Sequence, residues 1–178
     1  MIYPRRVPRP NDLRPLTYRE KQRIFGPVRV LENLPDGRVR LDPAWKRKHL
    51  TTVVLPGLEQ IRGGAKSGRV RVHRLIAEPL RELWEAWVSQ GLIGEILSWD
   101  GAFVERLVRG RKSLSSHAFG IAFDINAAWN RLGQPPAEAG TKGSVLRLVP
   151  LAIEHGFFWG GHFRTRPDGM HFEYAQRK

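Results

Sequence analysis

The sequence predicts an α+β fold, a small antiparallel sheet flanked by helices, and three observations lead to this fold class. The 178 residues are 41% hydrophobic, which suffices for one compact core. Short β-rich runs and amphipathic segments are mixed without the strict alternation of a doubly wound sheet. No repeat, low-complexity tract or long linker divides the chain. We therefore predict a single domain over residues 1–178.

A short helix is predicted near the start of the chain, over residues 17–25. Thr17 and Glu20 have the spacing of a capping box, in which each side chain accepts a hydrogen bond from the backbone N–H of the other. The apolar Ile24 and Phe25 follow within the helix. Gly26-Pro27 then ends it.

Three short β-rich runs follow this helix. Val28–Leu31 and Val39–Leu41 flank the turn sequence Pro35-Asp36-Gly37, which predicts a hairpin. The β-branched run 51–55 predicts a further strand, which ends at Pro56-Gly57 before a glycine-rich loop.

The second half of the chain is predicted to combine two helices with three strands. Apolar residues recur at helical spacing over 74–90, and again over 145–153, where we expect Pro150 to kink the helix and Gly156 to end it. The predicted strands are 93–99, 121–125 and 170–174.

The composition excludes several classes of protein. Without cysteine there is no disulfide framework, Cys-ligated zinc site, iron–sulfur cluster or thiol nucleophile, so any metal must be held by His and carboxylates. No stretch approaches the roughly 18 uninterrupted apolar residues of a membrane span. The opening MIYPRRVPRP is basic but is not followed by an apolar segment. We therefore expect no secretory signal, and synthesis in the cytoplasm.

The net charge of +13 indicates an anionic partner, such as nucleic acid, an acidic membrane face or a cell-wall polymer. The excess is uneven, because residues 1–73 carry 17 basic and 6 acidic side chains, a net charge of +11. A basic surface that serves only solubility is the alternative. We interpret 1–73 as a basic N-terminal extension or subdomain and 74–178 as the catalytic core.

Residues able to do chemistry are concentrated in two segments, 115–124 and 168–174. In the first, His117 and Asp124 lie seven positions apart, which in a straight strand would send their side chains to opposite faces. Gly120 allows a bend between them. The two side chains can therefore converge.

A carboxylate at Asp124, on an interior strand, is costly to bury unless an Arg or a metal ion pairs with it. A metal would need a third ligand, and His171 begins the last predicted strand. Together with His117, these residues make a set of two His and one Asp. Such a set is typical of a catalytic zinc site with an open fourth position. Gly169 allows a tight turn that brings Asp168 near the imidazole, where its carboxylate can accept a proton from water.

The strings SSHAFGIAFDIN and GFFWGGHFRTRPDGMHFEY resemble the signatures of a known peptidase family. The patterns are S-x-H-x-x-G-x-A-x-D and D-x-x-H-F-E, found in D-alanyl-D-alanine carboxypeptidases and L-alanyl-D-glutamate endopeptidases, including VanY-type enzymes and phage endolysins. The resemblance covers roughly residues 99–174. It implies a fold like that of these peptidases and of hedgehog signalling domains.

The resemblance also implies roles for individual residues. His117, Asp124 and His171 would bind Zn2+, and Asp168 would act as the general base. Relatives often have Glu at the position of Asp168. An Asp at this position resembles the endopeptidase branch of the family.

Three further residues are implied in substrate binding or catalysis. Ser115 matches the Ser that lies two positions before the first ligand. The resemblance implies that Ser115 either supports the site or donates a hydrogen bond to substrate. Relatives use an upstream Arg to stabilise the oxyanion. In the shorter segment GAFVERLVRG we favour Arg106 for this role, with Arg109 as the alternative.

Several residues also have a purely structural interpretation. Either ligand histidine, taken alone, could be an ordinary core residue, and Asp168 could cap a turn. We expect Glu173 to support the site or to be a surface charge. Among the other histidines, His162 is the best candidate to line the cleft. Trp159-Gly160-Gly161 reads as a bend, either structural or one that brings backbone close to substrate.

The leading hypothesis is a zinc metallopeptidase that hydrolyses an amide bond in peptidoglycan stem peptides, as an endopeptidase or a D,D-carboxypeptidase. The basic front would hold it on anionic wall or envelope polymers. It would act on the wall or in the periplasm after release or delivery.

The alternative is a non-catalytic, zinc-containing wall-binding module of the same fold. A third hypothesis is a nucleic-acid-binding protein. The sequence argues against it, because it shows no helix-turn-helix, zinc-finger or RNA-binding motif.

Overall fold

The computed structural model describes residue 10 and residues 12–177. Within these residues the α-helices are α1 (Tyr18–Phe25), α2 (Pro43–His49), α3 (Ala77–Ser89) and α4 (Val149–Glu154). The strands are β1 (Leu13–Arg14), β2 (Val30–Asn33), β3 (Val39–Leu41), β4 (Leu50–Val54), β5 (Arg69–His73), β6 (Trp99–Gly101), β7 (Ala122–Ile125), β8 (Phe157–Trp159), β9 (His171–Tyr174) and β10 (Gln176–Arg177). Residues 1–9, on which the expectation about a secretory signal depends, lie outside the described residues.

The largest sheet is four-stranded and antiparallel, in the order β6-β7-β9-β8. Three two-stranded antiparallel sheets, β1-β10, β2-β3 and β4-β5, lie around it. The α+β class with small antiparallel sheets is therefore confirmed. Among the described residues, no helix combines the length and the apolar character needed to cross a membrane.

Most of the predicted elements are present. Helix α1 begins at the Thr17 cap, and both hydrogen bonds of the capping box with Glu20 form. Strands β2 and β3 pair around a turn at Pro35–Gly37. The predictions for 51–55, 121–125 and 170–174 correspond to β4, β7 and β9, and the helix predicted over 74–90 is α3, preceded by a 3₁₀ turn.

The prediction of a strand over 93–99 is wrong. Ile93–Glu95 forms a 3₁₀ turn, and only Trp99 belongs to a strand, the start of β6. The backbone N–H groups of Leu97 and Ser98 donate to the side chain of Asn126 instead of to a neighbouring strand. The run 93–99 can therefore fold without a neighbouring strand, because the side-chain amide of the distant Asn126 accepts hydrogen bonds from its backbone N–H groups.

The helix predicted over 145–153 begins later, at Val149. Pro150 lies in its first turn, where its missing N–H costs nothing, so it does not kink the helix. His155 caps the helix and Gly156 follows with a φ of 82°, so the predicted end is close.

Three regular elements in the first half of the described chain were not predicted, namely strand β1, helix α2 and strand β5. Helix α2 begins at Asp42, whose side chain accepts a hydrogen bond from Ala44 N, and has Pro43 in its first turn. Both are helix-start signals, but the helix is basic and buries only Trp45. Strand β5 alternates exposed Arg with buried Val, the pattern of a strand with one face in the core.

The core lies between α3 and the four-stranded sheet. Helix α3 buries Leu80, Leu83, Trp84 and Trp87. On the sheet, the ring of Phe123 stacks on Trp99 at 5.4 Å and on Phe172 at 5.3 Å, and Trp87 meets Phe123 edge-on. This stack fixes β7 and β9, the two strands that carry the chemistry described below.

The N-terminal hairpin is bonded to the segment that contains Arg106. Val39 N donates to Glu105 O at 3.0 Å, and Leu107 N donates to Gly37 O at 2.8 Å. Lys46 from α2 pairs with the Glu105 carboxylate at 2.5 Å. The hairpin and α2 therefore support one wall of the cleft described below.

The last residue of helix α1 anchors the C-terminal end of the helix in the core. Phe25 is fully buried and its carbonyl accepts a hydrogen bond from His73 Nε2 at 3.1 Å, while His73 Nδ1 accepts one from Leu75 N. Burial lowers the pKa of His73 to about 4, so the ring is neutral at pH 7 and both of its bonds are kept.

Asn126 ties three segments together just beyond β7. Its Oδ1 accepts hydrogen bonds from Leu97 N at 2.7 Å and Ser98 N at 3.0 Å, and its Nδ2 donates to Glu95 O and Gly143 O. The side chain is fully buried, and the backbone has a φ of 55°. Loss of this amide leaves several buried polar groups without partners.

We expect Asn126→Gly to lower the free energy of unfolding by about 2–4 kcal/mol, because it removes the amide without adding strain at positive φ. Asn126→Asp keeps the acceptor but loses both donors, and should also be destabilising. Urea denaturation measures both. Asn33→Gly, on the exposed strand β2, is the control, with a loss of about 1 kcal/mol or less. Equal losses at positions 33 and 126 would contradict this role of Asn126.

Candidate metal centre

Strand register places two of the predicted ligands side by side. β7 and β9 are antiparallel, and Asp124 lies directly opposite His171. Side chains at such a pair point to the same face of the sheet, with their Cβ atoms about 5 Å apart. The carboxylate and the imidazole are therefore brought together by backbone pairing alone.

His117 reaches the same point from a turn, not from a strand. It lies in the 3₁₀ turn Ser116–Phe119, which ends at Gly120 with a φ of 68°. A Cβ at Gly120 would come within 2.8 Å of His73 N, so both the conformation and the space require glycine there. Ser115 caps the turn, its Oγ accepting from Ala118 N at 3.3 Å.

Three ligand atoms from these residues form a small triangle. His117 Nε2 lies 3.2 Å from Asp124 Oδ1, His171 Nδ1 lies 2.9 Å from the same oxygen, and the two nitrogens are 3.1 Å apart. In a tetrahedral site with bonds of about 2.0–2.1 Å, ligand atoms are about 3.3 Å apart. The triangle is close to that size, so the three residues could hold a metal ion.

The outer nitrogen of each imidazole is hydrogen-bonded away from the triangle. His117 Nδ1 donates to Ala102 O at 2.6 Å, and His171 Nε2 donates to Glu173 Oε2 at 3.3 Å. With those protons in place, the lone pairs of both inner nitrogens face the Asp124 carboxylate. Two imidazole nitrogens and one carboxylate oxygen then direct their lone pairs to the same point. A cation at that point would stabilise this arrangement.

The carboxylates around His171 control its protonation. Burial lowers the pKa of His171, but its hydrogen bonds to Asp124 and Glu173 outweigh burial and raise it to about 10. Burial raises the pKa of Asp124, and the charges and hydrogen bonds of the two imidazoles more than reverse this and hold it far below its usual value. With the side chains alone, a proton on His171 takes the place that a metal cation would fill.

Asp168 lies beside this cluster without joining it. Its backbone forms a tight turn, in which His171 N donates to Asp168 O at 3.1 Å and Asp168 N donates to Gly160 O at 2.9 Å. Asp168 Oδ1 is buried and has no hydrogen-bond partner among the described residues. Burial raises the pKa of Asp168, and the ligand charges and Arg106 also act on it.

Gly160 packs against this turn. A Cβ there would come within 2.5 Å of Asp168 O and 3.1 Å of the Cβ of His171. The bend Trp159-Gly160-Gly161 is a 3₁₀ turn that continues to His162, and Trp159 Nε1 donates to Gly169 O. This bend therefore supports Asp168 and His171 from behind.

Two of the three clustered residues, His117 and Asp124, line a cleft of about 700 Å³, whereas His171 and Asp168 are not among its lining residues. Arg106 and Arg109, the two predicted candidates for stabilising the oxyanion, both line it. Arg106 is half-buried and influences the pKa of Asp168, whereas Arg109 is exposed. The cleft wall also carries Asp36 and Asp100, with Arg111 and Lys112 beyond Arg109.

Sequence reasoning found only part of the support behind His171, because it gave Glu173 either a supporting role or a place on the surface and did not include Lys21. Glu173 is not a surface charge: it is 4% exposed and accepts a short hydrogen bond from Ser116. Lys21, from α1, donates to Ser116 Oγ and lies 3.6 Å from Glu173 Oε2. The motif D-x-x-H-F-E indicated that Glu173 shares a strand face with His171, but no local pattern pointed to Lys21.

The remaining histidines lie outside the cluster. His49 stacks between the rings of Trp45 and His73, and His155 is 3.9 Å from Glu82. His162, predicted as the best of them to line the cleft, packs its ring against Trp159 and Phe158. It is not among the residues that line the cleft.

Comparison with known proteins gives a match to one family model over part of the chain. Residues 109–174 match the model of a family described as D-alanyl-D-alanine carboxypeptidase. No curated protein and no solved structure matches the chain. The predicted resemblance is confirmed over the matched segment, which contains the three clustered residues and Asp168. The family description is that of a peptidase.

We expect the protein to bind one divalent metal ion per chain, and Asp124→Ala or His171→Ala to weaken binding more than about 100-fold. The reason is that loss of an outer partner of a ligand already costs 10–100-fold. Elemental analysis and chelator competition measure the effect. His155→Gln is the control, because that side chain lies outside the cluster. Tight metal binding that survives both alanine variants would place the metal elsewhere.

Proposed function

Taking the match of residues 109–174 to a peptidase family as the premise, we propose that this protein is a zinc-dependent peptidoglycan hydrolase. It cleaves an amide bond in the stem peptide of bacterial peptidoglycan, as an L-alanyl-D-glutamate or similar endopeptidase or as a D,D-carboxypeptidase. The observation that carries the proposal is the convergence of His117 Nε2, Asp124 Oδ1 and His171 Nδ1 within 3.2 Å of one another.

The donor set fits zinc. Two imidazole nitrogens and one carboxylate oxygen are the ligands of catalytic zinc sites that keep a fourth position open, whereas Ca²⁺ and Mg²⁺ prefer oxygen ligands alone. His117 and Asp124 line an open cleft, which supports access of a substrate to an ion that these residues would hold. When bound, zinc supplies Lewis acidity, which polarises a carbonyl and lowers the pKa of water.

Asp168 is the general base in this proposal. Its Oδ1 is buried and has no hydrogen-bond partner among the described residues, so its capacity to accept a hydrogen bond is unused. Burial also raises its pKa, which makes the carboxylate a better proton acceptor. Asp168 takes the proton from the attacking water and later passes it to the leaving amine.

Arg106 stabilises the oxyanion that develops on the scissile carbonyl. It lines the same cleft as the ligands and lies close enough to Asp168 to influence its pKa. A fixed cation in a partly buried site stabilises developing negative charge more strongly than one in water. The backbone bonds from the N-terminal hairpin to Glu105 and Leu107 hold Arg106 at this wall.

Arg109 and Ser115 complete the proposed site. Arg109 is exposed at the cleft, where a guanidinium can bind a carboxylate of the stem peptide. Ser115 Oγ accepts a hydrogen bond from Ala118 N and so holds the turn of His117, while its hydroxyl proton remains for donation to substrate or to a neighbouring group.

The basic front binds anionic wall or envelope polymers in this proposal, and the enzyme acts on the cell wall. Many of its cations are exposed, which suits binding of a polyanion: Arg29, Arg38, Arg40, Arg47, Lys48, Arg62, Lys66, Arg69 and Arg71. Such attraction weakens as salt rises.

The central test is digestion of purified peptidoglycan, with the new amino and carboxyl ends identified by mass spectrometry. We expect zinc-dependent release of fragments cut within the stem peptide, and Asp168→Asn to lower kcat by about 10²–10⁴-fold, the usual contribution of a general base. Metal content of Asp168→Asn should equal that of the wild type, because Asp168 is not among the clustered ligands.

Glu85→Gln, which removes an exposed carboxylate on α3, is the matched control and should leave kcat unchanged. A wild-type protein that binds zinc and peptidoglycan but releases no fragments would instead support the non-catalytic wall-binding module. Full activity of Asp168→Asn would remove Asp168 from the mechanism.

The roles of the two arginines can be separated by kinetics. We expect Arg106→Gln to lower kcat by about 10²–10³-fold with little change in KM, as for loss of an oxyanion donor. Arg109→Gln should raise KM and change kcat little, because a substrate contact acts equally in the ground and transition states. A larger loss of kcat in Arg109→Gln than in Arg106→Gln would exchange the two assignments.

A further inference from the structure

A buried chain of hydrogen bonds links helix α1 to the far side of His171. Lys21 Nζ donates to Ser116 Oγ at 2.6 Å and lies 3.6 Å from Glu173 Oε2. Ser116 Oγ donates to Glu173 Oε2, which also accepts from His171 Nε2 at 3.3 Å. The Lys21 and Glu173 side chains are only 12% and 5% exposed, so water does not replace these contacts.

Each bond of this chain can run in only one direction. An ammonium group only donates, so the Ser116 hydroxyl accepts from Lys21 and must turn its own proton toward Glu173. An ionised carboxylate only accepts, so His171 must carry its proton on Nε2. Lys21 thereby sets the orientation of Ser116, and through Glu173 it sets the tautomer of His171.

That tautomer is the one the metal centre needs. With the proton on Nε2, the lone pair of His171 Nδ1 points to Asp124 Oδ1 and His117 Nε2, at 2.9 and 3.1 Å. A hydrogen bond from the outer nitrogen of a ligand histidine to a carboxylate fixes both tautomer and ring orientation. Lys21 in turn compensates the charge of that carboxylate, which is costly to bury alone.

Helix α1 is positioned to hold Lys21 in place. Its first turn is fixed by the capping box at Thr17, and its end by burial of Phe25 under His73. Tyr18 meets the ring of Phe119, which belongs to the turn that carries His117. The helix thus packs against the metal centre from outside the segment 109–174 that matches the family.

We propose that Lys21 is a positioning residue of the metal centre, acting on His171 through Ser116 and Glu173. The inference rests on the proposed function, since it requires that His171 binds zinc. It makes α1 a working part of the metal site, beyond the matched segment. The basic front then has a second role, separate from attraction to anionic polymers.

The test is the zinc dissociation constant of the full chain, measured by chelator competition at fixed pH. Lys21→Met keeps the aliphatic stem but removes the donor and the charge, and should raise the dissociation constant about tenfold, in the range for outer partners of metal ligands. Arg23→Met removes an exposed cation from the same helix and should stay within about twofold of the wild type. Lys21→Arg, which restores a charged donor, should recover part of the loss.

A second readout separates positioning from a merely structural role. In the zinc-loaded protein the proton of His171 lies on Nε2, and long-range ¹H–¹⁵N spectra report how firmly the hydrogen bond to Glu173 holds it. We expect a sharp Nε2–H signal in the wild type and in Arg23→Met, and a signal broadened by exchange with water in Lys21→Met, because that hydrogen bond is weakened. A variant that only loosened the fold would lower the Tm of the protein without changing the Nε2–H signal of the folded state.

The outcomes distinguish this inference from the proposed function. A wild-type chain that fails to bind zinc overturns both. Wild-type zinc binding with unchanged affinity and His171 signal in Lys21→Met overturns the role of Lys21 and leaves the proposed function intact. If Lys21→Met does not fold, Ser116→Ala cuts the same chain at its middle, and unchanged zinc affinity in that variant also overturns the inference.

Discussion

The position of Asp124 is the constraint on which the rest of the site depends. A buried carboxylate with an imidazole nitrogen at 2.9 Å and another at 3.2 Å is stable only if positive charge lies among the three. Protons on the rings supply that charge when the side chains are alone, and a divalent ion supplies it more completely. The hydrogen bonds to the outer nitrogens of His117 and His171 hold these two rings in the geometry of the cluster.

The cluster is held from behind at each imidazole, by two different means. His117 is bound to a backbone carbonyl, that of Ala102, which belongs to the segment after β6. His171 is bound to Glu173, a charged group that needs its own partner in α1. Beneath both, the stacked rings of the core keep β7 and β9 in register. The basic N-terminal region therefore contacts the clustered residues of the second half at this point.

Local chemistry explains which parts of the fold could be predicted. The capping box of α1 and the hairpin turn at Pro35–Gly37 involve residues that interact with near neighbours. The run 93–99 was assigned wrongly because its apolar pattern is the same in a strand and in an irregular buried segment. The deciding contact, Asn126 to Leu97 and Ser98, is 28 or 29 residues away. Helix α2 has two helix-start signals, Asp42 and Pro43, but it was not predicted because it lacks a clear apolar pattern.

The sequence alone determined the identity of the clustered side chains and of the nearby acid, because His117 with Asp124, and Asp168 with His171, are close in the chain. Strand pairing decided everything that joins the two segments, including the opposition of Asp124 and His171. The tertiary structure also decided the tautomers and the partner of Glu173. Lys21 is 95 residues from Ser116, and no local pattern encodes a contact made by packing a separate helix against the sheet.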